Sequence, residues 1–198
     1  MKDNEHAIVS KWFYEFEDLA RKLRLDSNLK SSISSAGSIL SLAVRSGGKV
    51  LIFGNGGSAA EAQHFSAELV CRFRKDRRAI ASIALTTDTS IITAQSNDSG
   101  FDSTFSRQIE ALCRPGDVVI GLTTSDVGQD GHSKNIENAF RAAKDKGART
   151  IGLFSERTKN LLPFVETAIV APHSDTARVQ EAHLTIIHLL CELIEETL

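Results

Sequence analysis

His64 and Glu68 stand four residues apart in a run that reads as helix, and that spacing brings both side chains to one face. An imidazole beside a carboxylate can move protons to and from a bound molecule. Ten residues before His64 begins Gly54-Asn55-Gly56-Gly57-Ser58, the loop from which the helix is entered. Its glycines let the backbone turn sharply and approach a ligand closely. Amides at a helix start, on the positive end of the dipole, attract anions, and phosphate is the usual occupant. Each feature alone is weak, because glycine loops occur without phosphate and His–Glu pairs at this spacing are often merely solvated. Their closeness points to chemistry on a phosphorylated small molecule.

Val50, Leu51, Ile52 and Phe53 form the continuous apolar run of a strand buried on both faces, and it delivers the chain to the glycine loop. Two amphipathic helices are expected before it. Ile8, Trp12, Phe16, Leu19 and Leu23 make one stripe, and Leu29, Ile33, Ala36, Leu40 and Val44 the other. The first stripe is more than a sheet needs for cover, so it is expected to be a subunit contact. Further strands are expected at 80–85, 118–122, 150–154 and 168–171. Helices are expected between them: one capped by Asp88 or Thr89 and broken by a polar turn at 96–100, one at 104–113 and one at 136–146. A short helical piece is expected at 159–162, and a final helix at 176–196 carries Val179, Leu184, Ile187, Leu190, Cys191 and Ile194 as apolar positions. Strands alternating with helices predict an α/β fold with a doubly wound, five-stranded parallel sheet, whose ligands bind beyond the carboxyl ends of the strands. Those ends carry Thr86-Thr87-Asp88-Thr89-Ser90 and Thr123-Thr124-Ser125 besides the glycine loop.

The 198 residues are expected to form a single domain, with 1–48 as a helical extension for oligomer contacts and 49–198 as the α/β core. A hydrophobic fraction of 41% and a charged fraction of 24% are ordinary for a globular protein. The net charge of −2 argues against nucleic acid as a partner. The one basic cluster, Arg72, Arg74, Lys75, Arg77 and Arg78, reads as a solvated helix end favoured by the dipole. Cys71, Cys113 and Cys191 are odd in number and scattered, which predicts reduced thiols, mostly buried, and a cytoplasmic setting. No apolar run reaches the roughly 20 residues of a membrane span.

The glycine loop, His64-x-x-x-Glu68, Ala84-Leu85-Thr86-Thr87-Asp88-Thr89-Ser90, Asn97-Asp98 and Arg178-Val179-Gln180-Glu181-Ala182-His183 with His188 together resemble the phosphoheptose isomerases. These are a family of the sugar isomerase (SIS) domain group, with a flavodoxin-like fold. The likeness runs over nearly the whole chain, in order. It implies a homotetramer that interconverts sedoheptulose 7-phosphate and D-glycero-D-manno-heptose 7-phosphate, the first step toward heptose nucleotides for surface glycans. It also implies substrate contacts from Asn55, Gly56, Gly57, Ser58, Glu68, Asn97, Asp98, Thr123, Thr124, Ser125, Ser133 and Gln180. Zinc is implied as cofactor with His64, Glu68, Gln180 and His188 as its ligands, and Glu68 and His188 as the acid–base residues. The types fit: aldose–ketose interconversion moves a proton between C1 and C2 through an enediol, and a divalent ion can polarise the carbonyl.

Two features sit uneasily with that template. Gln180 and His188 are eight residues apart on one helix, roughly 12 Å between Cα atoms. Both meet one metal only through a loosened first turn or through ligands from two subunits, and Glu181 is the rival by helical angle. The compact Ser-Thr-Ser-Gly-Asn-Ser loop usual after the third strand is replaced by a longer one, 126–132, that opens with Asp126. A carboxylate near phosphate is unfavourable, so Asp126 is expected to point away. The altered loop leaves open a different phosphosugar or product stereochemistry. A non-catalytic SIS-fold protein that binds a sugar phosphate or a partner is the reading from another class.

Overall fold

In the computed structural model, which describes residues 2–128 and 132–198, the apolar run at 50–53 is wholly buried. It forms β1 (Val50–Gly54), and β3 (Val118–Leu122) pairs beside it in parallel, Val50 against Val118 through Gly54 against Leu122. With β2 (Ser82–Ala84), β4 (Arg149–Ser155) and β5 (Thr167–Ala171) they make a sheet ordered β2-β1-β3-β4-β5. All pairs are parallel, and the order reverses between β1 and β3. In such a sheet the crevice outside that reversal is where ligands bind.

Seven α-helices cover the sheet among the described residues: α1 (Lys2–Leu25), α2 (Ser27–Arg45), α3 (Gly57–Val70), α4 (Thr89–Ser99), α5 (Thr104–Leu112), α6 (Lys134–Asp145) and α7 (Thr176–Glu195). Alternation along β1 divides the core. Val50 and Ile52 face α2, α3 and α7, whereas Leu51 and Phe53 face α5 and α6. The α2 stripe of Leu29, Ile33, Ala36, Leu40 and Val44 lies in the first of these layers, so α2 is part of the sheet's cover. Among the described side chains of α1 only Leu19 is fully buried, while Ile8, Trp12 and Phe16 remain 58%, 47% and 45% exposed in the single chain.

Several elements depart from expectation, each for a local reason. The second strand keeps three residues of the expected six, because it is the sheet edge and pairs only with β1. The polar run at 96–100 is no turn until its end. α4 continues through Asn97 and Asp98 and stops at Gly100, whose φ of +90° other residues rarely adopt. The piece expected at 159–162 is a 3-10 turn at Leu162–Phe164 with Pro163 inside it. In α7 the inward position is taken by His183, fully buried, and Leu184 is 38% exposed.

Of the basic cluster, Arg72, Arg74, Lys75 and Arg78 are exposed as expected, and Arg77 is the one drawn inward. Arg77 donates through its guanidinium to the carbonyls of Glu68 and Leu69, closing the last turn of α3, and Arg78 does the same for Val44 of α2. The Arg77 Nε pairs at 2.9 Å with Glu195 on α7, and these side chains are only 6% and 2% exposed. The Glu195 carboxylate further accepts the amides of Phe73, Arg74 and Lys75 at 2.9–3.0 Å. Burial alone would raise this carboxyl, but the bonds from Lys75, Arg74 and Phe73 and the Arg77 charge outweigh it and hold it below the usual carboxylate range. A depressed folded pKa stabilises above the unfolded value, about 4.3, and that contribution disappears as pH falls through the folded pKa. Glu195→Gln is therefore expected to cost about 3 kcal/mol at pH 7, within the range for breaking a buried pair. The loss should shrink toward pH 3, as read from urea midpoints at each pH.

Candidate active site

The crevice at the β1–β3 reversal begins with the loop after β1. Gly56 has φ +57° and ψ −120°, a conformation that strains any side chain. At Gly57 an added Cβ would lie 2.1 Å from Gln180 Nε2, so a side chain there would push the α7 amide from its present place. The result is a cleft of about 340 Å³. Asn55, Gly56, Gly57 and Ser58 line one wall, and Thr123, Thr124, Ser125 and Ser133 the other, with Gln180 above. Nine of the implied substrate residues thus come together. Asn97 and Asp98 are not among them: both are exposed in the last turn of α4, where Asn97 Nδ2 donates to Asp98 Oδ1.

Helix capping explains why this cleft suits an anion. α2, α4 and α7 are each capped by an aspartate, Asp26, Asp88 and Asp175, whose carboxylates accept first-turn amides. α3 and α6 start from Gly56 and Ser133 with no side-chain cap, and both begin at the cleft. Ser133 has φ +59°, the single non-glycine residue at positive φ among those described. Its hydroxyl lies 3.3 Å from Ser125 Oγ, which in turn lies 3.3 Å from Thr123 Oγ1. Asp126 turns away, its oxygens accepting the amides of Val127, Lys159 and Asn160. Residues 129–131 of the longer loop lie outside the described residues.

Three lining or supporting residues escaped the sequence reading. Asn135 exchanges two amide hydrogen bonds with Asn55, at 3.0 and 2.9 Å, so Asn55 meets a ligand mainly through its backbone. Thr176 and His132 also line the cleft. Thr176 was available as the first residue of a helix starting at the strand ends; His132 and Asn135 had no signal beyond flanking Ser133.

Farther along α3, His64 Nε2 lies 2.9 Å from His188 Nε2 of α7 and 3.5 Å from Glu68 Oε1. The His188 ring stacks on Phe73 at 5.3 Å. Two Nε2 atoms at 2.9 Å need either a proton or a cation between them. The ligand atoms of His64, Glu68 and His188 all lie within 4.8 Å of one another. The two-nitrogen, one-oxygen donor set could hold a metal ion: tetrahedral ligands at about 2.0–2.2 Å are about 3.3–3.6 Å apart, which the His64–Glu68 spacing of 3.5 Å matches, while the His64–His188 pair at 2.9 Å lies closer than that.

Gln180 does not join this group within one chain. α7 is regular from Thr176, with Val179 N bonded to Asp175 O, so the first turn is not loosened. Its amide packs at Gly57, two turns before His64, which is about 10 Å along the helix. Glu181 is not in the group either; its carboxylate accepts Arg178 Nη1 at 2.7 Å. His183 belongs to the core. Its Nε2 faces the Phe154 carbonyl at 3.2 Å and so must donate, leaving Nδ1 turned toward Glu61 at 3.8 Å.

Two uncapped helix starts at the switch point of a parallel sheet, with acid–base groups deeper along one of those helices, define an SIS domain, and the family model of that description matches residues 11–155. The phosphoheptose isomerase of Geotalea daltonii is 52% identical over 170 residues, 86% of each chain. Solved phosphoheptose isomerases are similar throughout: GmhA from Neisseria gonorrhoeae at 35% identity and TM-score 0.87, covering 96% of this chain and 98% of that one. The Francisella tularensis enzyme gives 30% and 0.89, covering 97% and 98%. The chain belongs to the phosphoheptose isomerase family, and it is an enzyme of the isomerase class.

Proposed function

We propose that this chain interconverts sedoheptulose 7-phosphate and D-glycero-D-manno-heptose 7-phosphate, as a zinc-bearing homotetramer acting at the start of heptose nucleotide synthesis. The observation that carries the reading is that α3 bears the anion cleft at its start and His64 and Glu68 two to three turns on, where His188 of α7 joins them. An extended seven-carbon sugar phosphate can bridge that separation, with its phosphate at Thr123–Ser125 and Ser133 and its C1 and C2 at Glu68. The three free cysteines support a reducing, cytoplasmic setting. No helix among the described residues is long and apolar enough to cross a membrane.

Glu68 takes the C1 proton of the ketose and returns it to C2, while His188 moves the hydroxyl proton from O1 to O2. Zinc held by His64, Glu68 and His188 would polarise the carbonyl and stabilise the enediolate. Glu68 then acts from its free oxygen or leaves the ion during turnover. The fourth ligand, Gln180, is read as coming from another subunit, which also relieves its separation from His188.

The test is incubation with C5 to C7 ketose phosphates and identification of the products by NMR. Sedoheptulose 7-phosphate should be the preferred substrate and the manno aldose its product. Preference for another sugar would assign the lengthened loop at 126–132 a role in substrate choice. Purified protein is expected to carry about one zinc per chain, the normal occupancy of one four-ligand site. His64→Ala and His188→Ala should each lower that content. Full activity after exhaustive chelation, with no metal detected, would leave the proton transfers to the side chains alone.

A further inference from the structure

The cleft is walled by hydroxyls, amides and backbone, and His132 is the one side chain among its described lining residues that can carry charge. A phosphomonoester carries between one and two negative charges near neutral pH, and charge-assisted hydrogen bonds to it are roughly twice as strong as neutral ones. We infer that His132 is a phosphate-binding residue of this chain, supplying a charge-assisted donor to the phosphate in a cleft otherwise lined by neutral side chains. The inference rests on the proposed sugar-phosphate substrate for its biological meaning, though not for its test.

The geometry places the imidazole within the hydroxyl cluster. His132 Nε2 lies 2.9 Å from Ser125 Oγ, and that hydroxyl reaches Ser133 Oγ at 3.3 Å. Ser133 is the uncapped start of α6, so the ring stands where amides, hydroxyls and dipole converge. His132 O accepts the amide of Gly128, which fixes the backbone on the loop's near side. An imidazolium is a donor at both nitrogens, so a phosphate oxygen can take the place of, or share, the bond to Ser125.

Among the described residues, the charged groups near the ring already have partners. Asp126 is turned onto backbone amides of Val127, Lys159 and Asn160. Lys134 pairs with Glu137 at 2.9 Å. Arg157 donates to the Thr124 carbonyl at 3.0 Å and stands 3.5 Å from Thr176 Oγ1, at the rim. Arg157 stays charged at every working pH, so it adds a constant attraction.

Inorganic phosphate is the probe, titrated into wild type, His132→Gln and His132→Asn at pH 6 and pH 8. The ratio of variant to wild-type Kd at each pH removes phosphate's own ionisation. The ratio is expected to be about five, a modest value for a charge-assisted bond at an exposed side chain. The His132 imidazole resonances of wild type should shift on phosphate addition. For the sugar phosphate, the loss should fall on KM rather than kcat. A ratio near one at both pH values in both variants, with unmoved His132 resonances, would overturn the inference. Phosphate binding with the expected ratios in a protein that isomerises no sugar phosphate would sink the isomerase reading and leave His132's role standing.

Discussion

Glu68→Gln is expected to abolish exchange of the substrate's C1 and C2 protons with solvent while the fold, the assembly and phosphate binding persist. Glu68 is the only carboxylate in the group formed with His64 and His188. A positioned general base typically contributes 10²–10⁴-fold, and in the proposed mechanism the same group both removes and returns the carbon-bound proton. Glutamine keeps the volume and can still accept a hydrogen bond from His64, 3.5 Å from the present Glu68 oxygen. A folding defect is therefore not the expected cause of the loss. The measurement is deuterium incorporation from D₂O, followed by NMR, with zinc content determined on the same sample. Incorporation at the wild-type rate would remove Glu68 from the role of base. Lost incorporation with lost zinc would be repeated at saturating zinc, where a base variant stays inactive.

The second large effect concerns assembly. Ile8, Phe13 and Phe16 on α1 are 58%, 66% and 45% exposed in the single chain. Each such side chain, when buried, contributes about 1.5–3 kcal/mol. Such a stripe marks a contact surface, and the proposed tetramer buries it between copies. Trp12 is a poor residue to test this with, because its ring already stacks over the Arg178 guanidinium at 4.1 Å. Altering it would disturb Arg178, which is 1% exposed and two positions from Gln180. Ile8→Asp with Phe16→Asp spares that contact. The double variant is expected to sediment as a smaller species and to lose nearly all activity, since Gln180 is read as serving a neighbouring site. A soluble monomer with unchanged turnover would show that one chain holds the complete site.

Much of this was legible because burial constrains sequence. β1 and β3 are buried on both faces and read as uninterrupted apolar runs, at 50–53 and 118–122. α4 has no buried residue, so nothing in its composition separates an exposed helix from a turn, and only Gly100 marks its end. The His64–Glu68 pair followed from helical spacing, but His188 came in only through the family likeness, since its contact with His64 spans 124 residues. The same holds for Arg77, whose partner Glu195 lies 118 positions away. Four of the five cations in that cluster are exposed, and nothing in its composition singles out Arg77 as the one that meets a buried carboxylate. The Gln180–His188 separation, by contrast, was fixed by helix geometry alone.

The three amides that grip Glu195 also determine how that part of the molecule opens. Phe73, Arg74 and Lys75 lie in an irregular segment after α3, where backbone amides ordinarily exchange with solvent quickly. Here their acceptor is a side chain in the last turn of α7, so freeing them requires that turn to detach. Their exchange should therefore be as slow as that of the buried half of α7, and it should quicken together with α7 under mild denaturant. The end of α3 and the end of α7 then behave as one cooperative unit. Since α3 carries His64 and Glu68 and α7 carries His188, fluctuations that would part the acid–base groups are suppressed by a contact that takes no part in the chemistry.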